Sequence, residues 1–548
     1  MLEKLKTILL ITLVISSIVL SGQLWLGSSH YELADEPTSE RIDYGEKAQI
    51  FEQIAPTEIL LRLNGTALDE GVADINDTIT SDELDILTDV EDNSRKRDII
   101  YSFRKNTKRY SHIWDILKED FFEKLIEQQN LSIEIYDKED IADELASGYN
   151  KLILKFNFPI GKILKDNLNT SPIMDYEFND FDKLTIYLDN SFEITGFFLK
   201  DCKNENRLLK LELNMESDII KEKLSENTNL EKDESGETLA AAELIDQIDT
   251  NEILLNLSEN GEFDIEKLGK DQFSFLLEKS CDITLPEMTE YMVKKEIEYE
   301  ELDKERLAKA FFHDLSFVRK IDEWDGGLIY TDGQKGLRFL PGGGFEYDAP
   351  HATYLTKTTR EDINIAQAIE KSSEYISLYG GWNENLLIEK LNFAGNNQFR
   401  DERNFETSYR YYHEGYPIIN KDSIKIDFNF QGAFNYFRRL AGKIEPVNQN
   451  HEDMEENIEK TLLEPEEILL DWLKDKLSGE IKGKIEDFDE EKQIDEEKII
   501  EITVGIKDIK YAYYQQENQN ILIPVLVIES ESNKYVFDAL DGELIVEK

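Results

Sequence analysis

An uncharged run from Thr7 to Leu26 limits the fold of this chain more than any other feature of its sequence. The run has about 20 residues, which is the length that one helix needs to cross a bilayer. Lys4 and Lys6 precede it, and acidic residues such as Glu32 follow it. Because positive residues beside a membrane helix stay on the cytoplasmic side, the pattern predicts a cytoplasmic N-terminus and an extracellular location for the bulk of the chain.

A cleaved secretory signal is the alternative interpretation of this segment. Signal peptides carry a shorter apolar core of about 7–15 residues, followed by a small-x-small cleavage site. Here the apolar core is longer, and Val19-Leu20-Ser21 is a poor cleavage site. Gln23 stands where a lipoprotein would need its cysteine. The sequence therefore favours an uncleaved, single-pass anchor in the cell membrane.

The rest of the chain is strongly acidic but apolar enough to fold. Its 548 residues are 40% hydrophobic and carry a formal net charge of -54. This length predicts about two to four domains. The charge argues against a nucleic-acid partner, because it repels a phosphate backbone. Cys202 and Cys281 form no C-x-x-C pair, so we expect free thiols, although a disulfide between them is permitted outside the cell.

Changes in periodicity and charge divide the chain into segments. The predicted fold class is α+β, with one N-terminal transmembrane helix followed by a multi-domain ectodomain of antiparallel sheets packed with helices. The predicted segments are a cytoplasmic tail (1–6), the anchor (7–26), a polar tether (27–53), an N-terminal ectodomain (54–300) with an acidic insertion near 222–238, a middle α+β domain (301–446), an acidic linker (447–464) and a C-terminal α+β domain (465–548).

The N-terminal ectodomain shows strand-like alternation and one helical stretch. Lys151–Phe158, Lys183–Leu188 and Leu208–Asn214 alternate apolar and polar residues, as half-buried antiparallel strands do. Ser111–Gln128 has the spacing of a helix. The sequence therefore predicts a sheet with one dry face and a helix packed on it.

The middle domain combines helices with hairpin strands. Thr359 and Asp362 fit a capping box, which predicts a helix from Thr359 to Tyr379 that ends at Gly380. Residues 328–330 and 336–340 flank a Thr-Asp-Gly turn and predict a hairpin. Ile424–Phe430 alternates strictly, so we expect a strand with one buried face.

The C-terminal domain begins with a helix and ends with three strands. Pro465 suits the first turn of a helix, and Gly479 is expected to end it. Pro524 cannot donate a ladder hydrogen bond, which predicts an edge or a bulge at that residue. The helix is expected to face inward with Leu469, Trp472, Leu473 and Leu477. The predicted strands are Ile499–Val504, Ile521–Ile528 and Tyr535–Ala539. The middle strand is apolar on both faces, so we expect it to be central or covered.

Motifs of catalysis are missing from the sequence. It contains no H-E-x-x-H, no G-x-S-x-G elbow and no phosphate loop. Gly342-Gly343-Gly344 lacks an adjacent helix start, so it is interpreted as a hairpin turn. Tyr409–Tyr412 is interpreted as a strand with one ring in the core. We therefore predict a protein that is not an enzyme, with no catalytic residues, no metal site and no cofactor.

The anchor itself carries the candidate contact residues. At about 100° per residue, a helix places Thr12, Ser16 and Gln23 close to one line, with Ser17 and Ser21 on the opposite side. Small and hydroxylated residues let membrane helices approach closely, and glutamine can hydrogen-bond across an interface. We expect this helix to contact a partner helix. The plainer alternative is that serine and threonine are common in such helices.

Several short motifs resemble those of YycH proteins. They are the anchor end Leu20-Ser-Gly-Gln-Leu-Trp25, the segment Leu307-Ala-Lys-Ala-Phe-Phe-His-Asp314 with Tyr330-Thr-Asp-Gly333 and Phe345-Glu-Tyr347, the pair Tyr409-Arg-Tyr411 and Gly415-Tyr-Pro-Ile418, and the tail from Ile523-Pro-Val525 to Phe537-Asp-Ala539. The resemblance covers the layout of the whole chain, and its motifs concentrate between Glu301 and Arg439.

The resemblance implies a regulatory role. YycH proteins are anchored, non-enzymatic partners of YycI and of the sensor histidine kinase WalK (YycG), which governs cell-wall metabolism in low-GC Gram-positive bacteria. It also implies a YycI-like last domain. Two alternatives stay open: an anchored exterior binding module for peptide or wall polymer, and an anchored hydrolase with unrecognised acidic catalysis.

Overall fold

The computed structural model describes the chain in segments. The described residues are 48–63, 99–105, 108–127, 132–137, 150–161, 163–164, 182–188, 194–200, 207–212, 236–237, 273–279, 283, 285–286, 292–312, 314–349, 364–395, 403–429, 432–447, 462–486, 500–516, 519–530 and 532–548. The predicted anchor, both cysteines and most of the acidic insertion lie outside them.

The elements alternate between helices and strands along the chain. The helices are α1 (Ile50–Gln53), α2 (Lys108–Leu117), α3 (Glu123–Glu127), α4 (Lys304–Phe311), α5 (Ile365–Leu378) and α6 (Pro465–Glu486), with a π-helical turn (Lys118–Phe122) between α2 and α3 and a 3-10 turn (Leu315–Phe317) after α4. The first strands are β1 (Glu58–Leu63), β2 (Ile99–Arg104), β3 (Ser132–Asp137), β4 (Asn150–Lys155), β5 (Lys183–Leu188), β6 (Ile194–Lys200), β7 (Arg207–Glu212), β8 (Gly236–Glu237), β9 (Phe273–Lys279) and β10 (Lys295–Tyr299). The remaining strands are β11 (Arg319–Asp322), β12 (Leu328–Thr331), β13 (Gly336–Phe339), β14 (Phe345–Asp348), β15 (Leu386–Gly395), β16 (Arg403–His413), β17 (Tyr416–Ile419), β18 (Ile424–Asn429), β19 (Gly432–Arg438), β20 (Ala441–Pro446), β21 (Ile500–Gln515), β22 (Ile521–Ser530), β23 (Lys534–Asp538) and β24 (Leu544–Glu547).

The N-terminal sheet is antiparallel and carries a helix on one face. Its strands follow the order β3-β7-β6-β5-β4-β1-β2-β8. The predicted helix is confirmed, since α2, the π-helical turn and α3 run without a break from 108 to 127. Phe121 and Phe122 are fully buried against the sheet, and the ring centroids of Phe121 and Phe197 lie 4.9 Å apart. Burial of these large rings stabilises the layer, at roughly 25 cal/mol for each Å² of apolar surface removed from water.

The strands β4 and β5 are confirmed in position, but the expectation of one wet face is wrong. Both are buried on the two faces. The face opposite the helix meets charged residues of β21. Burial alone would raise the pKa of Asp508, but the charges of Lys510, Lys155 and Lys183 hold that pKa well below its usual range. The polar residues that alternate along β4 and β5 face a second domain. The same alternation would be seen if they faced water, so periodicity does not distinguish the two cases.

The middle sheet follows the predicted hairpins. Its order is β11-β12-β13-β14-β19-β18-β16, and β15 also pairs with β16. The predicted hairpin is confirmed by the register Leu328↔Phe339 and Thr331↔Gly336. In β18, Ile424, Ile426 and Phe428 are fully buried, so its predicted dry face is also confirmed.

Helix α5 starts six residues later than predicted. Its N-cap is Asn364, whose side chain accepts from the Gln367 N–H at 2.8 Å, while Gln367 Oε1 accepts from the Asn364 N–H at 3.0 Å. The expectation of Thr359 as cap was therefore wrong. The two capping-box patterns follow one another closely in the sequence, and asparagine is as good a cap as threonine. Residues 350–363 lie outside the described part.

Gly380 follows α5 at a position that excludes a side chain. Its φ is +122°, and a Cβ there would lie 2.8 Å from Nε of Arg438. The Arg438 side chain is buried, donates to the backbone oxygens of Gly380 and Gly381 at 2.8 Å, and pairs with Glu300 at 2.9 Å. Gly380 therefore lets a buried guanidinium reach the end of the helix, since such a charge must be paired to be tolerated in the core.

Helix α6 continues past Gly479 to Glu486, so the predicted end was wrong. Glycine in a helix costs about 1 kcal/mol relative to alanine. Here Ile481 is 1% exposed and packs in the C-terminal core with Leu469 and Trp472, and this burial offsets the cost. The predicted start at Pro465 is confirmed.

The C-terminal sheet is mixed, whereas an antiparallel one was expected. β21 pairs in parallel with β9 and with β17, while its pairing with β22 is antiparallel. β22 is buried on both faces, as predicted. Pro524 is not at an edge: it opposes Tyr513 of β21, and its oxygen accepts from the Ala539 N–H at 3.0 Å. The proline lies where the other neighbour of β22 changes from β23 to β10, so no ladder donor is missed.

Residues 48–53 are packed into the middle domain. The Tyr409 hydroxyl donates to Oε1 of Gln53 at 2.8 Å, and Ser373 Oγ donates to the oxygen of Ala48 at 3.0 Å. Gln53 is fully buried. The chain that leads from the predicted anchor is therefore fixed to β16 and α5 by buried hydrogen bonds.

Candidate protein-interaction site

The contact residues predicted from the sequence lie outside the described part of the chain. Thr12, Ser16, Ser17, Ser21 and Gln23 all precede residue 48, so their role as partner contacts stays a prediction. Among the described helices, none is both long and apolar enough to span a membrane.

The motifs considered for chemistry are structural in the described residues. Gly342, Gly343 and Gly344 form the turn between β13 and β14, all with positive φ, so the hairpin interpretation is confirmed. Tyr409 and Tyr412 are both buried, one ring more than expected. Within the described ranges, no three His, Cys, Asp or Glu side chains are grouped to hold a metal ion.

A candidate interaction site lies at an edge of the middle sheet. Strand β11 ends the strand order and, among the described residues, pairs only with β12. All four of its residues are exposed. A strand edge of this kind leaves backbone N–H and C=O groups available to a partner strand.

Large apolar side chains are exposed along this edge. Trp324 is 99% exposed, Phe317 is 79% exposed and Ile321 is 46% exposed. Together with Arg319 and Lys320 they form what we call the edge surface. One exposed apolar residue is ordinary, but a cluster of them, including a tryptophan, is typical of contact sites between proteins.

The turn that carries Trp324 is held in place by Arg338 of β13. Arg338 Nε donates to Glu323 Oε2 at 2.7 Å, and its Nη2 lies 3.3 Å from Asp325 Oδ2. The hydrogen bond to Glu323 raises the pKa of Arg338. A Cβ on Gly327 would lie 2.4 Å from Oε2 of Glu323, so a larger residue there would displace the Glu323 side chain. Trp324 is thus presented from a fixed backbone, which lowers the entropy lost on binding.

The other aromatic residue, Phe317, projects from a capped 3-10 turn. Asp314 Oδ1 accepts from the Ser316 N–H at 2.8 Å. Hydrogen bonds from Ser316 lower the pKa of Asp314, so the cap stays ionised at neutral pH. The exposed ring therefore has a defined position on the edge surface.

The edge strand and its turn carry charges of both signs. Arg319, Lys320 and Asp322 are exposed on β11, and Glu323 and Asp325 follow on either side of Trp324. Charged residues on an edge strand discourage aggregation. That function alone would not require Phe317 and Trp324 to be exposed beside them. We therefore interpret the edge surface as a docking surface for another protein.

Two family models match the chain. The YycH protein N-terminal domain matches residues 3–137, and the YycH protein C-terminal domain matches residues 280–471. Together they span more than half of the 548 residues. The chain belongs to the YycH family. The resemblance inferred from the short motifs is thereby confirmed, and the edge surface lies inside the C-terminal match.

Solved structures show more distant likeness. The crystal structure of YycH from Bacillus subtilis is 14% identical, with coverage of 91% of this chain and 99% of that chain and a TM-score of 0.43. The crystal structure of an uncharacterized protein from Eubacterium rectale is 11% identical, with coverage of 50% of this chain and 91% of that chain and a TM-score of 0.30. A comparison with curated proteins finds no match.

The edge surface was missed by sequence reasoning, although a signal was present. Glu323-Trp324-Asp325-Gly326-Gly327 has the composition of a turn. A tryptophan inside such a polar turn has no core to enter, so its exposure could have been expected. The identity of its ion-pair partner, Arg338, could not, because it depends on the register of two strands.

Proposed function

We propose that this YycH-family protein is a membrane-anchored, extracytoplasmic regulator of a sensor histidine kinase of the WalK/YycG type. It acts together with a YycI-like partner and has no enzymatic activity of its own. The observation that carries the proposal is the edge surface, with its 99% exposed Trp324 on a fixed turn. Such a surface serves association and has no evident use in catalysis.

Family membership and the N-terminal segment support an anchored location. The N-terminal match begins at residue 3 and includes the uncharged run from Thr7 to Leu26. In this proposal the anchor helix contacts a transmembrane helix of the kinase through Thr12, Ser16 and Gln23. Ser17 and Ser21 allow close approach on the opposite side.

The edge surface is assigned to the YycI-like partner. A strand of that partner would pair with β11 and cover Trp324 and Phe317. Backbone hydrogen bonds supply affinity in such an arrangement, and the side chains supply specificity. The YycI-like character predicted for the last domain stays part of this proposal.

A physical route connects the two contacts. Residues 48–53 lie between the anchor and the ectodomain, and Gln53 is bonded to Tyr409 inside the middle domain. The edge surface belongs to the same domain. A partner that binds the edge and shifts this domain would therefore shift the anchor. Regulation requires that the kinase helices make different contacts in their two states.

A two-hybrid test in membranes examines the proposal with the full chain. The wild type is paired with the kinase and with the YycI-like protein. An edge variant carries Phe317→Ser and Trp324→Ser, and a helix variant carries leucine at positions 12, 16 and 23. Gln334→Ser, in the neighbouring β12–β13 turn, is the matched control.

We expect the edge variant to lose the YycI-like partner and keep the kinase, and the helix variant to do the reverse. The fragment Met1–Ser29 should retain the kinase contact alone. If the wild type is present in the membrane and associates with neither protein, the regulatory proposal is wrong.

A further inference from the structure

A pocket lies between the middle and the C-terminal sheets, on the side opposite the middle-domain core. It has a volume of about 330 Å³. Its walls come from seven strands, β10 and β16 to β21, and from the connections that precede β18 and β20. This volume is at the small end of the range for ligand sites, about 300–1,000 Å³.

Cations outnumber acids in the pocket. Lys421, Lys425 and Arg439 line it, together with one aspartate, Asp422, which is exposed. The chain as a whole has 116 acidic and 62 basic side chains, so a local excess of positive charge is the reverse of its general pattern. Positive charge inside a concave wall of low polarity attracts anions more strongly than the same charge on a flat surface.

The guanidinium of Arg439 lacks some of its possible hydrogen-bond partners among the described residues. Its Cζ lies 3.9 Å from the centroid of the Tyr299 ring. Its Nε is buried and has no hydrogen-bond partner among the described residues, and its Nη2 makes one long contact of 3.4 Å with the oxygen of Pro341. Buried donors are normally satisfied, so this one indicates an acceptor that the protein does not itself supply.

The two lysines complete the cationic side. Lys425 Nζ lies 3.0 Å from Glu406, and that hydrogen bond raises the pKa of Lys425 and keeps it charged. Among the described residues, no carboxylate pairs with Lys421. Lys421 and Arg439 therefore hold charge that is not neutralised within the described structure.

The pocket also has apolar lining residues. Ile297, Ile418 and Ala441 line it beside the rings of Tyr411 and Phe437. Such a surface offers water few hydrogen bonds. An apolar group that covers it is stabilised by about 25 cal/mol for each Å² of apolar surface removed from water. The pocket thus combines an anion-binding side with a surface that suits an aliphatic or aromatic group.

We propose that this pocket binds a small organic anion, with one carboxylate or phosphate group against Lys421 and Arg439 and an apolar body against Ile297, Ile418 and Phe437. This inference goes beyond the regulatory proposal and does not depend on it. A ligand there would touch both the middle and the C-terminal sheets, and so would stabilise their relative position.

Calorimetric titration of the full chain, held in nanodiscs of neutral lipid, tests the site. The probes are phenyl phosphate, benzoate, inorganic phosphate and benzyl alcohol. The variants are Lys421→Gln, Arg439→Gln and, as a matched loss of one positive charge elsewhere, Lys474→Gln. Circular dichroism checks that each variant is folded.

We expect phenyl phosphate and benzoate to bind. The affinities of benzyl alcohol and inorganic phosphate should each be lower by about tenfold or more, because the alcohol lacks the anionic group and inorganic phosphate lacks the apolar group. Lys421→Gln and Arg439→Gln should each weaken phenyl phosphate by about tenfold, and added salt should weaken it further. Lys474→Gln should leave the affinity for phenyl phosphate unchanged.

Two results would overturn the inference. One is the absence of phenyl phosphate and benzoate binding to the folded wild type at millimolar concentration. The other is equal binding by wild type, Lys421→Gln and Arg439→Gln, which would place the probes elsewhere on the protein. Lys421 lies in a connection and is only partly buried, so its variant is informative even if Arg439→Gln fails to fold.

Discussion

Arg338 Nε lies 2.7 Å from a carboxylate oxygen of Glu323, and this ion pair fixes the turn that carries Trp324. The same guanidinium reaches Asp325 on the other side of Trp324 at 3.3 Å. An exposed tryptophan is thus clamped from both neighbouring residues by one side chain of the next hairpin. This arrangement stabilises a binding-competent turn before any partner is present.

Trp324→Ala tests the edge surface directly. Because the side chain is exposed, its removal should change the free energy of unfolding by less than about 0.5 kcal/mol. Association with the YycI-like partner should weaken about tenfold or more, as for an aromatic residue at the centre of an interface. Thermal unfolding and a pull-down titration measure the two effects. A large loss of stability would place Trp324 in the fold rather than at an interface.

Arg338→Gln tests the clamp. The ion pairs of Arg338 are partly exposed and screened by solvent, so the melting temperature should fall only slightly. Amide hydrogen exchange should quicken in residues 323–327 and stay unchanged in the distant strand β22. Arg338→Lys should recover little, because an ammonium cannot reproduce the fork that reaches two carboxylates. If amide exchange in this turn is the same in Arg338→Gln as in the wild type, Arg338 does not hold the turn in place.

Gln53→Leu tests the link between the tether and the middle domain. Gln53 is fully buried and accepts from Tyr409 at 2.8 Å. The leucine variant leaves a buried hydroxyl short of a partner, at a cost of about 1–3 kcal/mol. Tyr409→Phe should cost a similar amount, and the double variant less than the two together. Additive costs in the melting temperatures would show that the two side chains do not act as a pair.

Lys105 gives a pH-dependent prediction. Burial lowers the pKa of Lys105 to about 7, against the opposing charges of Glu384 and Glu52. The pKa of an unfolded lysine is about 10.4. Between these values the unfolded chain binds more protons, so this lysine makes stability rise with pH from about 7 to about 10. Below about pH 7 Lys105 is charged in both states, and the full free-energy cost of burying its charge is present.

Lys105→Met should therefore gain stability relative to wild type as the pH is lowered from 10 to 6. Melting temperatures of both proteins across this range measure the difference. A difference that is independent of pH would show that Lys105 titrates as an ordinary exposed lysine.

Local features of the fold were predictable because local patterns determine them. The alternation in β18, the turn between β12 and β13 and the start of α6 at Pro465 depend on neighbouring residues alone. The start of α5 was not predictable in this way, because Thr359 and Asn364 offer two neighbouring caps and the choice depends on packing. The end of α6 was predicted wrongly at Gly479, because Ile481 continues the buried side of the helix.

Long-range features were not predictable from one sequence. The parallel pairing of Ile500 with Phe273 joins strands more than two hundred residues apart, and no periodicity encodes a neighbour at that distance. The burial of β4 depends in the same way on Asp508 in another domain. The pocket beside Arg439 arises where two sheets meet, so its residues share no motif.

Site-specific photo-crosslinking from position 324 tests the central claim most directly. The full chain, with a photoreactive residue in place of Trp324, is expressed in membranes beside the kinase and the YycI-like protein, and position 334 serves as the control. The account predicts a crosslink from position 324 to the YycI-like partner and none from position 334. Equal or absent crosslinks from the two positions, with both proteins in the membrane, would contradict it.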